Sequence, residues 1–221
     1  GKGYTPSHAG RVIHADIAGP FKRSLVGQHR YMLVLIDDHT RFLSVYFLRE
    51  KSEAGDKIKR FIASFNAYAS KGKEHPVRVT GSLHTDNAGE FLSHEFQEFL
   101  DRETISQTTC PPHVHSLNGV AERAIRSIME QIRSNLVAST APIGFWTFAA
   151  EHAVDVINRT TGPPNAPMTS FEALTGSKPA IMPILPFGCQ SFSVKPRSAY
   201  LKSDFSARAW AGLNLGRCPT M

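Results

Sequence analysis

Long apolar runs are missing from this chain. None reaches the roughly 18 residues that a membrane span needs, and no stretch has the build of a secretory signal. Cysteine is scarce. Cys110, Cys189 and Cys218, an odd and scattered set without a CxxC pair, argue against a disulfide framework and fit a reducing compartment. Cys110, His113 and His115 could begin a metal cluster, but no second pair follows at zinc-finger spacing. Internal repeats and low-complexity tracts are absent as well, which excludes solenoid and fibrous classes. Acids are in the minority, 19 against 25 Lys and Arg, for a net charge of +6 and a pI near 9.4. A balance of that sign suits a polyanionic partner.

What is present is a core. Hydrophobic residues make up 41% of 221 residues, enough for one ordinary domain with an appendage. The positive excess leans to residues 161–221, where Lys178, Lys195, Arg197, Lys202, Arg208 and Arg217 face only Glu172 and Asp204. The chain starts at Gly1 rather than Met, and we read it as a piece of a longer product.

Residues 1–10 are polar and read as a linker. Arg11–Ala18 reads as a strand ending at Gly19-Pro20. Tyr31–Ile36 is a continuous apolar run, as in a strand buried on both faces, and Phe42–Leu48 is a third strand after a turn at Asp37–Arg41. Ser52 can cap a helix in which Ala54, Ile58, Phe61, Ile62, Phe65 and Ala69 recur at helical spacing. Arg78–Thr85 reads as a strand. Ser93 can cap a helix with Phe96, Phe99 and Leu100 inward, and Thr104–Thr108 reads as a short strand. A long helix is expected from about Asn118 to Ser139, and Phe145–Asn158 forms the next. Past Gly162 prolines punctuate the chain, with possible strands at Phe187–Lys195 and Ala209–Leu215. Hairpin-linked strands followed by strand–helix alternation predict an α/β fold, a mixed five-stranded sheet flanked by helices on both faces, as in RNase H-like proteins. The predicted layout is a linker at 1–10, a core at 11–160, and a Pro-rich extension with a small β element at 161–221.

Three acids stand out. Asp16 lies in the first strand, inside an apolar stretch. Asp86 ends the fourth strand in HTDNAGEF, and Glu122 lies in the first turns of the long helix in NGVAER, with 35 residues between the last two. At about 100° per residue, Ala121, Ile125, Ile128, Ile132 and Leu136 form one buried stripe, with Glu122 at its border and Arg126 and Arg133 on its side. Each acid has an ordinary reading by itself: a salt-bridged core acid, a turn or cap residue, and an acid favoured by the helix dipole. Together they read differently. Converging carboxylates repel unless a cation neutralises them, and hard divalent ions with oxygen ligands do so. Elsewhere the bland reading is preferred. Asp37 and Asp38 read as solvated turn acids, Glu90 as structural, Phe145 and Trp146 as core, and Arg41, Arg49, Lys57 and Arg60 as solvated charges. His113 and His115 read as loop residues near phosphate, ahead of a role in proton transfer.

The blocks Asp86–Phe91, Asn118–Arg123 and Asp37–Phe42, then Phe145-Trp146, Ile157–Arg159 and Phe187–Cys189, resemble in order those of copia-type LTR retrotransposon integrases, members of the DDE integrase superfamily. The resemblance runs from about residue 11 to 216. Ala88 and residues 113–117 depart from the family's pattern. The resemblance implies a polynucleotidyl transferase that processes DNA 3′ ends and joins them to a target. It implies two Mg²⁺ ions, replaceable by Mn²⁺, with Asp16 bridging both and Asp86 and Glu122 each on one. It implies Asn118 and Gly119 shaping the turn that presents Glu122, and double-stranded DNA as partner. We assign DNA contacts to Asn118, His113, Arg126, Arg133, Lys195, Arg197 and Lys202. The resemblance further implies at least a dimer, no membrane, and a nuclear site of action. The alternatives are an RNase H-like hydrolytic nuclease and a domesticated or decayed copy that binds DNA without catalysis.

Overall fold

A computed structural model describes residues 7–70, 77–85, 93–109, 119–179, 184–196 and 207–216. Five strands form one mixed sheet: β1 (Val12–Ala18), β2 (Tyr31–Asp37), β3 (Leu43–Leu48), β4 (Ser82–Thr85) and β5 (Ser106–Thr109), in the order β3-β2-β1-β4-β5. β1 to β3 are antiparallel neighbours, whereas β4 runs parallel to β1 and β5 parallel to β4. β1 is therefore the hinge between an antiparallel half and a parallel half.

The apolar run of β2 follows from its position. Leu33 and Leu35 face one core with Ile13, Ala15 and Leu48, closed by Ile58, Phe61 and Phe65 of α1 (Ala54–Ser70) and by Phe96 and Leu100 of α2 (His94–Arg102). Met32, Val34 and Ile36 face the other core. That core is closed by Ala121, Ile128 and Ile132 of α3 (Gly119–Ser139) and by Trp146, Ala149, Ala150 and Ala153 of α4 (Trp146–Thr160). Small residues on α4 let it approach the sheet closely. At its far end Asn158 imitates a strand. Its Oδ1 accepts from the Leu43 N–H and its Nδ2 donates to the Leu43 carbonyl, both at 2.8 Å, closing the edge of β3.

Differences from the sequence reading have local causes. Only residues 82–85 of the expected fourth strand join the ladder; the Val79 N–H donates to Asn66 Oδ1 of α1 and the Thr80 N–H to the Gly10 carbonyl instead. Gly81 is needed where β4 starts: a Cβ there would stand 1.7 Å from the Arg11 carbonyl oxygen. Ser52 sits inside a 3-10 turn, Lys51–Glu53, and does not cap α1. Ser93 does cap α2, accepting from the Phe96 N–H at 3.4 Å. The Pro-rich stretch contains a short helix, α5 (Ser170–Thr175), with Thr169 accepting from the Glu172 N–H and Gly176 at φ 73° ending it. Beyond it, β6 (Gln190–Val194) and β7 (Ala209–Leu213) pair antiparallel as a separate two-stranded sheet. Among the described residues no helix is long and apolar enough to cross a membrane.

The turn after β2 overturns the reading of its acids as solvated. Asp37 is fully buried. Its Oδ1 accepts from the Gly10 N–H at 2.7 Å, and its Oδ2 accepts from the Thr40 N–H at 2.8 Å and from Thr40 Oγ1 at 2.7 Å. Burial raises its pKa, against those donors. Arg41 is likewise not a free solvated charge. At φ 61° it turns back to set Nη1 2.8 Å from Asp38 Oδ1. Burial pushes the Asp38 pKa up, but the nearby His14 ring and the Arg41 charge outweigh it and the net shift is downward.

Two outcomes follow from this turn. Asp37→Ala strands three buried donors and is expected to cost about 2–4 kcal/mol, measured by urea unfolding at neutral pH; an unchanged midpoint would show that the carboxylate does not organise the turn. Asp38 has a depressed pKa in the folded state. Its contribution is present above the ordinary carboxylate range and lost as pH falls through the folded value. Asp38→Asn should therefore flatten the loss of stability below about pH 4, read from unfolding midpoints across an acid series; a limb as steep as the parent's would contradict the assignment.

Candidate active site

Asp16 sits on the hinge strand. It pairs with Val34, so its side chain shares Val34's face of the sheet, the one covered by α3 and α4. It is half-buried, and its Oδ1 accepts from the Ile17 N–H at 2.8 Å. Glu122 lies in the first turn of α3 and is exposed, on a helix that packs across β1 and β2. Asp86 lies outside the described residues, directly after Thr85, the last residue of β4. The parallel register pairs His14 with His84. Asp16 and Asp86 each follow these histidines by two positions.

Beneath that level is a polar block that the sequence reading passed over. The His14 and His84 rings meet edge to face at 5.0 Å, and His14 Nε2 lies 3.6 Å from Asp38 Oδ1. Both His14 ring nitrogens, His84 Nδ1 and Arg41 Nε are buried without hydrogen-bond partners. Burial, then the neighbouring His14, lowers the His84 pKa, with Asp38 opposing. A cleft of about 620 Å³ opens beside them, lined among others by Arg11, Ser82, Ser106 and Val120. The one sequence signal for the block was a histidine two residues before each aspartate, in HAD and HTD.

The other assigned residues are spread out. Arg126 and Arg133 are exposed on α3, one and three turns beyond Glu122. Lys195 follows β6, far along the chain, with Nζ 5.9 Å from the Trp210 ring centre. Asn118, His113, Arg197 and Lys202 lie outside the described residues, as do Cys110, His115, Ala88 and Glu90. Among the described residues, no three His, Cys, Asp or Glu side chains are grouped to hold a metal ion. Trp146 is core, as expected, and its Nε1 donates to the Lys22 carbonyl at 2.9 Å.

Residues 6–115 match the family model of the integrase core domain. A Pol polyprotein of the tobacco transposon TNT 1-94 is 30% identical over 193 residues, 87% of this chain and 14% of that polyprotein. The Pol polyprotein of the Arabidopsis thaliana transposon RE2 is 29% identical over 86% of this chain and 13% of its own length. The Gag-Pol polyprotein of the yeast transposon Ty1-LR3 is 28% identical over 80% of this chain and 10% of its own length. This chain thus spans a seventh or less of those relatives. Among solved structures, the simian T-cell lymphotropic virus intasome, in complex with PP2A regulatory subunit B56 gamma, aligns with 95% of this chain and 69% of its own at TM-score 0.62 and 19% identity. The HTLV-2 integrase catalytic core domain in complex with magnesium aligns with 76% of this chain and 98% of its own at TM-score 0.55 and 18% identity. The fold is that of retroviral integrase cores, RNase H-like, and the chain belongs to the integrase core domains of copia-type retrotransposon Pol polyproteins.

Proposed function

We propose that this chain is the catalytic core of an integrase that processes element DNA ends and joins them to target DNA, with Asp16, Asp86 and Glu122 as its metal-binding carboxylates. The observation that carries this reading is the parallel pairing of β1 with β4. It sets the strand bearing Asp16 beside the strand that Asp86 follows in sequence, while α3 brings Glu122's helix across the same face of β1.

The donor set fits a hard cation. All three side chains offer carboxylate oxygens, and Asp16, the described one on the sheet, is only half-buried. Bound there, two Mg²⁺ ions, or Mn²⁺ in their place, would supply charge to offset that of a phosphodiester in displacement. The chain's own part is to present the carboxylates of Asp16 from β1 and Glu122 from α3, with Asp86 following β4 in sequence, and to keep basic side chains where DNA runs. Arg126 and Arg133 of α3 are candidates for phosphate contacts, with Asn118 and His113 before the helix and Lys195, Arg197 and Lys202 in the extension. The extension at 161–221 would then serve the core at 11–160 as a DNA-holding appendage. The HTLV-2 core is described in dimeric and trimeric forms and the simian protein in an intasome. That likeness supports at least a dimer; action on double-stranded DNA and in the nucleus is part of the proposal. A hydrolytic nuclease and a binding-only copy are the competing readings.

Glu122→Gln is expected to reduce Mn²⁺-dependent plasmid nicking at least about 10³-fold, on the scale of losing a preorganised electrostatic group, while DNA affinity in Ca²⁺ holds or rises. Arg126→Ala with Arg133→Ala should do the reverse, weakening binding while the carboxylates stay in place. Nicking by Glu122→Gln at the parent rate would leave Glu122 as a helix-terminal acid. Nicking without joining, in a strand-transfer assay, would favour the nuclease.

A further inference from the structure

The β1–β2 connection is a built projection. It leaves β1 after Ala18, two residues beyond Asp16. The Phe21 N–H donates to the Arg30 carbonyl at 2.6 Å and the Ser24 N–H to the His29 carbonyl at 3.0 Å, so the hairpin continues past the sheet. Ser24 is buried and ties the tip from inside: its Oγ donates to the Val26 carbonyl at 2.6 Å and accepts from the His29 N–H at 2.9 Å. Gly27 and Gln28 make the reversal at φ 78° and 56°, and Arg49 Nε donates to the Gly27 carbonyl at 2.8 Å. The Trp146 indole holds the Lys22 carbonyl, and the Leu25 N–H donates to the Gly144 carbonyl at 2.9 Å. Both anchors belong to the α4 side, the face that Asp16 shares. The hairpin therefore stands at the Asp16 end of β1 and leans to the Asp16 face.

What this scaffold presents is unusual for a loop. Leu25 and Val26 are 56% and 59% exposed, and Ile143 in the adjoining turn is 56% exposed. Lys22 and Arg23 flank them, exposed and without an ion pair among the described residues. From residue 17 to residue 36 there is no acid, while Lys22, Arg23, His29 and Arg30 lie within it. Burial holds the His29 pKa down, with the charges of Lys57 and Arg49 adding to it and that of Glu53 opposing. A rigid tip with apolar ends and flanking cations suits nucleic acid, whose phosphates meet the cations and whose unstacked bases meet the apolar side chains. A second copy fits poorly, since a two-fold contact through the tip would set Lys22 and Arg23 against their own counterparts.

We propose that the β1–β2 hairpin tip is a DNA-end wedge: Lys22 and Arg23 bind backbone phosphates, and Leu25, Val26 and Ile143 pack on bases opened at the end that the active site would act on. This inference rests on the integrase reading for its substrate and adds a contact that the catalytic carboxylates do not require.

The test uses the full chain in Ca²⁺ with two fluorescent duplexes, one with a frayed 3′ end carrying 2-aminopurine and one closed at both ends. Val26→Ser, which leaves Leu25 on its Gly144 anchor, should weaken binding to the frayed duplex about tenfold, the equivalent of exposing one valine, and change the 2-aminopurine signal. Binding to the closed duplex should stay at the parent level. Lys22→Ala with Arg23→Ala should weaken binding to both and reduce the salt slope by up to about 1.8, at 0.9 per phosphate. Thermal melts confirm that each variant is folded. Val26→Ser binding both duplexes like the parent overturns the wedge, as does a Val26→Ser variant that loses only self-association in sedimentation. A parent that shows the tip effect but never nicks DNA in Mn²⁺ keeps the wedge and fails the catalytic reading. A parent that nicks DNA with no tip effect fails the wedge alone, and one that binds no DNA fails both.

Discussion

The structure depends on the two unlike pairings of β1. Its antiparallel partner β2 is buried on both faces and brings a layer of apolar side chains to each side of the sheet. Its parallel partner β4 arrives only after α1 has crossed one face, because parallel strands need a crossover. A strand held this way on both edges cannot slip by one residue without turning Asp16 into the α1 core and Ile17 out of it. The face on which Asp16 stands is thus set by the packing of Ile13, Ala15, Met32 and Val34 rather than by any contact of its own carboxylate.

The same register assembles the layer below. His14 and His84 are brought into contact by the β1–β4 ladder, and Asp38 closes the group from the turn after β2. Buried nitrogens without partners are costly where water is excluded. They lie two residues before Asp16 on β1 and at the matching place on β4, beside an open cleft, so this part of the sheet gives up stability. Asp37, Thr40 and Gly10 compensate nearby with a fully satisfied carboxylate.

Much of this was legible in the chain. The unbroken YMLVLI run and the stripe of Ala121, Ile128 and Ile132 are local periodicities that burial enforces, and both elements stand where they were expected. What was not legible depends on distant partners. Asp37 looks like a solvated turn acid until Gly10, 27 residues earlier, supplies an N–H. The fourth strand is shorter than its β-branched sequence suggests because Asn66 of a helix takes the Val79 N–H and the Gly10 carbonyl the Thr80 N–H. His14 and His84 give no sign of each other without the register. For the site, the spacing of Asp86 and Glu122 and their flanking blocks pointed to the family, and the strand order agrees. Asp86 itself lies outside the described residues.

In the proposed site, three carboxylates from β1, the segment after β4, and α3 share divalent ions. The most direct test is anomalous scattering from crystals of this chain soaked in Mn²⁺. Two peaks are expected among Asp16, Asp86 and Glu122, with carboxylate oxygens at about 2 Å from the ions. Well-ordered Asp16 and Asp86 carboxylates more than about 8 Å apart, too far to share an ion at such distances, with no peak between them, would contradict it.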